Sequence, residues 1–169
     1  MFIRQKLIYN NPYAYLVKTK WDKKSKKVRQ KVSKYLGRIY GLDRVRNRSF
    51  IEYFNVEIDN YVSETPFKKI VKDLIQLEFY RHGFEIKEKN LMENGVHTVD
   101  IEKIDKVFAM NEGFMNQNTV NQILRYDNLL GETNINIPFK FASLFVNAGI
   151  DIEKELFIAL YQKSFSDNI

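Results

Sequence analysis

The sequence predicts an α+β fold: an N-terminal three-stranded antiparallel β-meander, followed by a mixed body with a small antiparallel sheet and about four helices. Three observations carry this expectation. Residues 2–36 fall into short runs of alternating or β-branched and aromatic residues separated by turn-forming ones. Residues 66–82 place Phe67, Ile70, Val71, Leu74 and Leu77 at helical spacing between Pro66 and Gly83. Beyond Gly83 come short β-rich runs divided by Asn90 and Asn94-Gly95, then two apolar helical patterns at the end.

Taken in order, Phe2 to Tyr9 alternates with Ile3, Leu7 and Tyr9 on one side and Arg4 and Lys6 on the other, and Asn10-Asn11-Pro12 turns the chain. Tyr13 to Trp21 is the second strand, the polar link Asp22 to Lys26 follows, and Lys27 to Leu36 is the third, ended by Gly37. In that third strand Val28, Gln30 and Val32 share one face, and Arg29, Lys31 and Ser33 the other. Arg44, Arg46 and Arg48 form a second basic patch. Phe50 to Val62 mixes both periodicities and is expected to be irregular or a short helix.

Helix 66–82 is framed by Thr65 as N-cap, Pro66 in the first turn and Gly83 as a left-handed stop. Residues 84–89, 96–101 and 106–110 are expected to form the small antiparallel sheet, 111–118 a loop, 119–126 a short helix and 130–137 another loop. Helices over 138–148, ended by Gly149, and 152–163, capped by Asp151, complete the chain as an αα-hairpin.

Composition bounds the function. Apolar residues make up 44% and aromatic residues 14% of 169 positions, enough to build a core without metal or disulfide, and the absence of cysteine removes thiolate chemistry and Cys-based zinc sites. No stretch approaches the roughly 18 uninterrupted apolar residues of a membrane helix. The start lacks a secretory h-region, so a cytoplasmic location without membrane attachment is expected.

The net charge of +6 conceals an asymmetry. Residues 1–50 carry 15 Lys and Arg against Asp22 and Asp43, a balance of +13, whereas residues 51–169 balance at −7. A soft boundary near position 50 therefore separates a basic β-rich arm from an acidic body, the usual footprint of a polyanion-binding segment on its carrier. The cations assigned to nucleic acid are Lys18, Lys20, Lys23, Lys24, Lys26, Lys27, Arg29, Lys31, Lys34, Arg38, Arg44, Arg46 and Arg48. Tyr13, Trp21 and Tyr35 are positioned among them to stack on bases.

Catalytic signatures are sparse. The scattered glycines form neither a phosphate loop nor a dinucleotide fingerprint, and His82 and His97 have no histidine partner at ligand spacing. His82 reads as a helix-end cap and His97 as a strand or surface residue. The rival enzymatic reading is a Mg-dependent nuclease built from Glu85, Lys87, Asp100 and Glu102, in which acids hold the metal and orient a water. A helix-turn-helix reading of the last two helices fails because the second begins Asp151-Ile152-Glu153-Lys154-Glu155, which phosphate would repel.

The run Lys27-Val28-Arg29-Gln30-Lys31-Val32-Ser33-Lys34-Tyr35-Leu36-Gly37-Arg38 closes a stretch, residues 1–40, that resembles the basic N-terminal module of some prokaryotic insertion-sequence transposases. The resemblance implies DNA contact by this quarter of the chain; the remainder lacks the length for the catalytic domain of that family and is similar only in style to small archaeal proteins. The sequence thus predicts a non-catalytic DNA- or RNA-binding protein without cofactor, whose acidic body is a scaffold or protein-binding surface. The alternative is a self-associating or protein-binding subunit whose arm meets an acidic surface.

Overall fold

The computed structural model describes residues 1–23, 25–126 and 136–165. Strands β1 (Phe2–Ile8), β2 (Asn11–Asp22) and β3 (Lys27–Gly41) form the expected antiparallel meander. The first turn is tighter than expected: Tyr9 and Asn10 both take positive φ, 48° and 61°, and make a two-residue hairpin loop, so that Asn11 and Pro12 already belong to β2.

β3 does not stop at Gly37. It passes through that residue at φ 118°, a conformation that favours glycine, and continues to Gly41, where Ile39, Tyr40 and Gly41 pair in parallel with β7 (Val107–Met110). A two-residue turn with Asn111 at φ 48° leads into β8 (Gly113–Met115), giving one five-stranded sheet in the order β1-β2-β3-β7-β8. The chain before and after residue 50 therefore shares this sheet. The run at 106–110, expected in the small sheet, belongs here instead: its residues are buried on both sides, and the absence of alternation conceals which sheet they join.

Between β3 and β7 lie three helices and the small sheet, a crossover of the length that parallel pairing requires. Ser49 and Glu52 close a reciprocal capping box at the start of α1 (Phe50–Phe54), and Glu57 caps α2 (Ile58–Glu64) through the N–H groups of Asp59 and Asn60. These two helices replace the expected irregular segment. Thr65 is the last cap of α2, and Pro66 rather than Thr65 stands at the N-cap of α3 (Phe67–Arg81). Gly83 at φ 91° then releases the chain into β4 (Glu85–Glu88), β5 (Leu91–Glu93) and β6 (Thr98–Asp100), the three-stranded antiparallel sheet.

α4 (Gln117–Ile123) starts two residues earlier than expected because Asn116 caps it, accepting from the N–H groups of Asn118 and Thr119. Most of the loop expected over 130–137 lies outside the described residues. α5 (Ile137–Ala148) ends at Gly149 as expected, with φ 74°, whereas α6 (Lys154–Phe165) begins beyond the expected Asp151 cap. The reason is that Asp151 is engaged elsewhere: its N–H donates to Glu78 and its carboxylate binds Arg44.

The core surrounds α3, whose Ile70, Val71, Leu74, Ile75, Leu77 and Phe79 are buried, with Phe84 and Phe108 edge-on to Phe79 at 4.9 and 5.3 Å. Phe141 of α5 anchors the far side among Tyr126, Phe145, Phe157 and Phe165. The hairpin β7–β8 rests backbone to backbone on the end of α5: a Cβ on Gly113 would lie 2.1 Å from the Val146 carbonyl oxygen, so glycine is required there for space. Among the described residues no strand pairs with the outer edge of β1, and no helix is long and apolar enough to cross a membrane.

Candidate nucleic-acid interface

β1 reaches only as far along β2 as the pair Phe2–Val17, and β7 pairs only with the last three residues of β3. From Lys18–Lys31 to Asp22–Lys27 the meander is therefore a bare two-stranded ribbon, five ladder pairs and about 15 Å long. It projects beyond the rest of the sheet.

The register of this ribbon sorts its side chains. Cross-strand partners share a face, and β3 contains two extra residues relative to β2, one between Tyr35 and Gly37 and one between Val32 and Lys34. The second bulge removes Ser33 from the alternation and brings Lys34 opposite Leu16, onto the same face as Lys18, Lys20, Lys27, Arg29 and Lys31. The expected triplet of Arg29, Lys31 and Ser33 is thus corrected: Lys34 takes the place of Ser33, and β2 adds two lysines. All six cations are exposed, and Arg29 forms an ion pair with Asp22 at 2.9 Å.

The opposite face carries Tyr13, Tyr15, Val17, Thr19 and Trp21 of β2 with Arg38, Tyr35, Val32, Gln30 and Val28 of β3. Tyr35 lies 5.3 Å from Tyr15 and 6.2 Å from Tyr13 between ring centroids, and Trp21 remains 56% exposed toward the tip. Arg38 stands here, 5.7 Å from the Tyr40 ring, and not among the other cations. Lys23 and Lys26, at the turn that joins the two strands, are both exposed; Lys24 lies outside the described residues.

Two of the three arginines of the second basic patch are engaged within the fold. Arg44 is bound by Asp151 at 2.6 Å and by Asn47, while Arg46 donates to the carbonyls of Tyr80 and Phe84, pairs with Glu85 at 3.2 Å and covers the Tyr80 ring. Arg44 thus ties this stretch to the segment before α6, and Arg46 ties it to the end of α3, where the N–H groups of Val45 and Arg46 both donate to the Arg81 carbonyl. Arg48 is exposed, and its carbonyl accepts from Arg81 Nε.

No protein-family model, curated protein or solved structure matches the chain.

The four residues of the nuclease reading are not brought together. Glu85 and Asp100 sit on the two outer strands of the small sheet, at opposite ends, with β5 between them. Glu85 pairs with Arg46, Glu102 with Lys72, Lys87 with Glu93 at 3.7 Å, and Asp100 accepts from the Glu102 N–H. Among the described residues no group of three or more His, Asp and Glu is arranged to hold a metal ion. Beside Lys72 and Glu102 runs a cleft reaching Lys69 and Asp73, and Asp73 accepts from the Tyr61 hydroxyl. Burial, reinforced by that carboxylate, holds the Tyr61 phenol above its usual range.

His82 caps α3 as expected, its ring Nδ1 lying 2.8 Å from the Glu78 carbonyl, although it is buried. His97 precedes β6 and packs edge-on to Tyr40 at 4.4 Å; burial, then Lys106, keeps its pKa below the ordinary histidine value.

One charged cluster is absent from the sequence expectations. Glu78 is 0% and Arg81 3% exposed. Glu78 accepts from Arg81, from Asn111 Nδ2 at 2.7 Å and from the Asp151 N–H, while Arg81 also donates to the carbonyls of Arg48 and Asp151 and to Glu153 at 2.7 Å. The network ties α3 to the strap after β3, the β7–β8 turn and the start of α6. Its signal is present in the sequence: Glu78 and Arg81 continue the phase of Ile70, Val71 and Leu74, so the buried stripe of α3 runs on through two charged positions.

Proposed function

We propose that this chain is a non-catalytic nucleic-acid-binding protein that grips phosphates with the basic face of the β2–β3 ribbon. The observation that carries this reading is the one-sided array of Lys18, Lys20, Lys27, Arg29, Lys31 and Lys34 on a ribbon that extends past its neighbouring strands. Same-face residues along one strand are about 6.8 Å apart. A linear polyanion can therefore meet several cations at once, and each contact releases condensed counterions. A two-stranded ribbon also has the cross-section that a DNA major groove admits. The resemblance of residues 1–40 to a transposase DNA-contacting module supports the same reading, and the dispersion of Glu85, Lys87, Asp100 and Glu102 favours binding over hydrolysis.

The test is binding of the intact protein to labelled single- and double-stranded DNA and RNA at low and high salt, with Mg²⁺ present and the probe checked for cleavage. Salt-sensitive retention of uncut probe is the expected result, and no binding at low salt would refute it. A second reading, self-association through the arm, draws on the groove of ≈ 660 Å³ where Glu57, Asp59 and Glu155 rim an apolar floor of Ile51, Val56 and Ile158. Salt-sensitive oligomers in sedimentation, without affinity for nucleic acid, would select it.

A further inference from the structure

The aromatic side of the sheet contains a hollow of ≈ 400 Å³ lined by Arg4, Lys6, Tyr15, Val17, Gln30 and Val32, with the flank of Gln5. Its parts come from three strands in register: Arg4 lies opposite Tyr15 and Phe2 opposite Val17 on β1–β2, and Tyr15 lies opposite Tyr35 and Val17 opposite Val32 on β2–β3. Val17 is only 1% exposed and forms an apolar floor, with Val32 beside it. The Tyr15 ring is braced from behind by Tyr35, which is braced in turn by Tyr13. Arg4 donates to Gln30 Oε1 at 3.1 Å across the hollow, a bond that leaves the Gln30 NH₂ group and the other guanidinium donors without a partner among the described residues.

We propose that this hollow holds one unpaired nucleobase together with its phosphate, so that the preferred ligand is a single strand. The inference rests on the phosphate-gripping reading of the ribbon and adds a base site on its reverse side. Each wall suits a different part of a nucleotide. A base requires an apolar floor and an aromatic face for its π surface, which Val17, Val32 and Tyr15 supply. Its polar edge requires donors and an acceptor, which Gln30 and Arg4 supply, and its phosphate requires a cation, which Lys6 and the rest of the Arg4 fork supply. A duplex presents its bases stacked and edge-on in a groove, and cannot lay a base face against the sheet. A flexible strand can, because the edge of β3 over residues 27–38 has no neighbouring strand among the described residues, and the strand can pass around it from the basic face to the hollow.

The experiment uses the full chain at about 50 mM salt. Affinity is measured by anisotropy for a labelled oligothymidylate, for its abasic counterpart with the same number of phosphates, and for a duplex of equal length. Quenching of Trp21, the single tryptophan and on the same face, gives an independent readout. The normal strand is expected to bind about tenfold more tightly than the abasic one, the value of one stacked base. Gln30→Ala, a neutral and exposed change, should shrink that difference while leaving folding and abasic affinity nearly intact; Tyr15→Ala should erase it, with a loss of stability from the ring contact to Tyr35, and Tyr15→Phe should restore both. Lys31→Glu should weaken both strands together. Equal affinity for normal and abasic strands, a difference indifferent to the hollow variants, or tighter binding of the duplex would overturn the base site and leave the ribbon reading standing. Failure to bind any probe would remove both.

Discussion

Replacing Lys20, Lys31 and Lys34 together by alanine tests the phosphate-gripping face most directly. All three are exposed, stand on one face and have no partner among the described residues, so their removal should change stability by no more than about 0.5 kcal/mol per site. Each phosphate contact contributes about −0.9 to the slope of log affinity against log salt on a duplex and about −0.7 on a single strand. With the six cations of the face engaged, the intact protein should show a slope of roughly −4 to −5.5, and the triple variant roughly −2 to −3. Between about 50 and 200 mM salt the intact protein should lose roughly three-hundredfold to two-thousandfold in affinity, against only about twentyfold to fortyfold for the variant. Fluorescence anisotropy across a salt series reads both slopes, with Lys154→Glu on α6 as a matched surface control. An unchanged slope in the triple variant, or an equal loss in the control, would refute the assignment of this face.

Three further outcomes concern the scaffold. Glu78→Gln should destabilise the fold by about 3 kcal/mol or more, because Arg81 is left as a buried charge with only Glu153 to balance it; the shift in urea midpoint checks this. Gly113→Ala should cost about 3 kcal/mol, since the new methyl meets the backbone of Val146 rather than a yielding side chain; a thermal melt no lower than that of the parent would contradict the packing described. His97 has a folded-state pKa below its unfolded value, so the neutral ring favours the folded state; this contribution is complete above the unfolded pKa and is lost as pH falls through the folded one. Stability should therefore drop from pH 7.5 to about 5 by more in the parent than in His97→Phe, which keeps the packing on Tyr40 but cannot take a proton.

The α+β class and the N-terminal meander are legible because alternation and turn residues are local signals, and α3 is legible because its apolar stripe is bounded by Pro66 and Gly83. What escapes local reading is of three kinds. The partner of Val107–Met110 depends on a pairing across the long crossover, and a short run buried on both sides does not announce which sheet it completes. The sorting of Lys34 onto the basic face depends on a bulge, which a strict two-residue period cannot foresee. Arg44 and Arg46 belong by composition with the arm's cations, yet they are internal fasteners, because the chain turns back against α3 just where they occur. The capping box at Ser49 and Glu52 and the charged continuation of the α3 stripe were, by contrast, readable from spacing alone.

The uncovered outer edge of β1 has a consequence for how the protein behaves in solution. A seven-residue strand with open backbone groups invites a second copy to continue the sheet, and here Arg4 and Lys6 lie along that edge, with the lysines of the ribbon beyond them. Their mutual repulsion opposes the approach of two such edges, and it is screened within about 8 Å at physiological ionic strength and within about 3 Å at 1 M salt. Concentrated salt, which on the reading proposed above would strip a polyanion from the ribbon, would also weaken the electrostatic guard on the edge in the same step, so the conditions that free the ribbon are those in which the open edge is least protected.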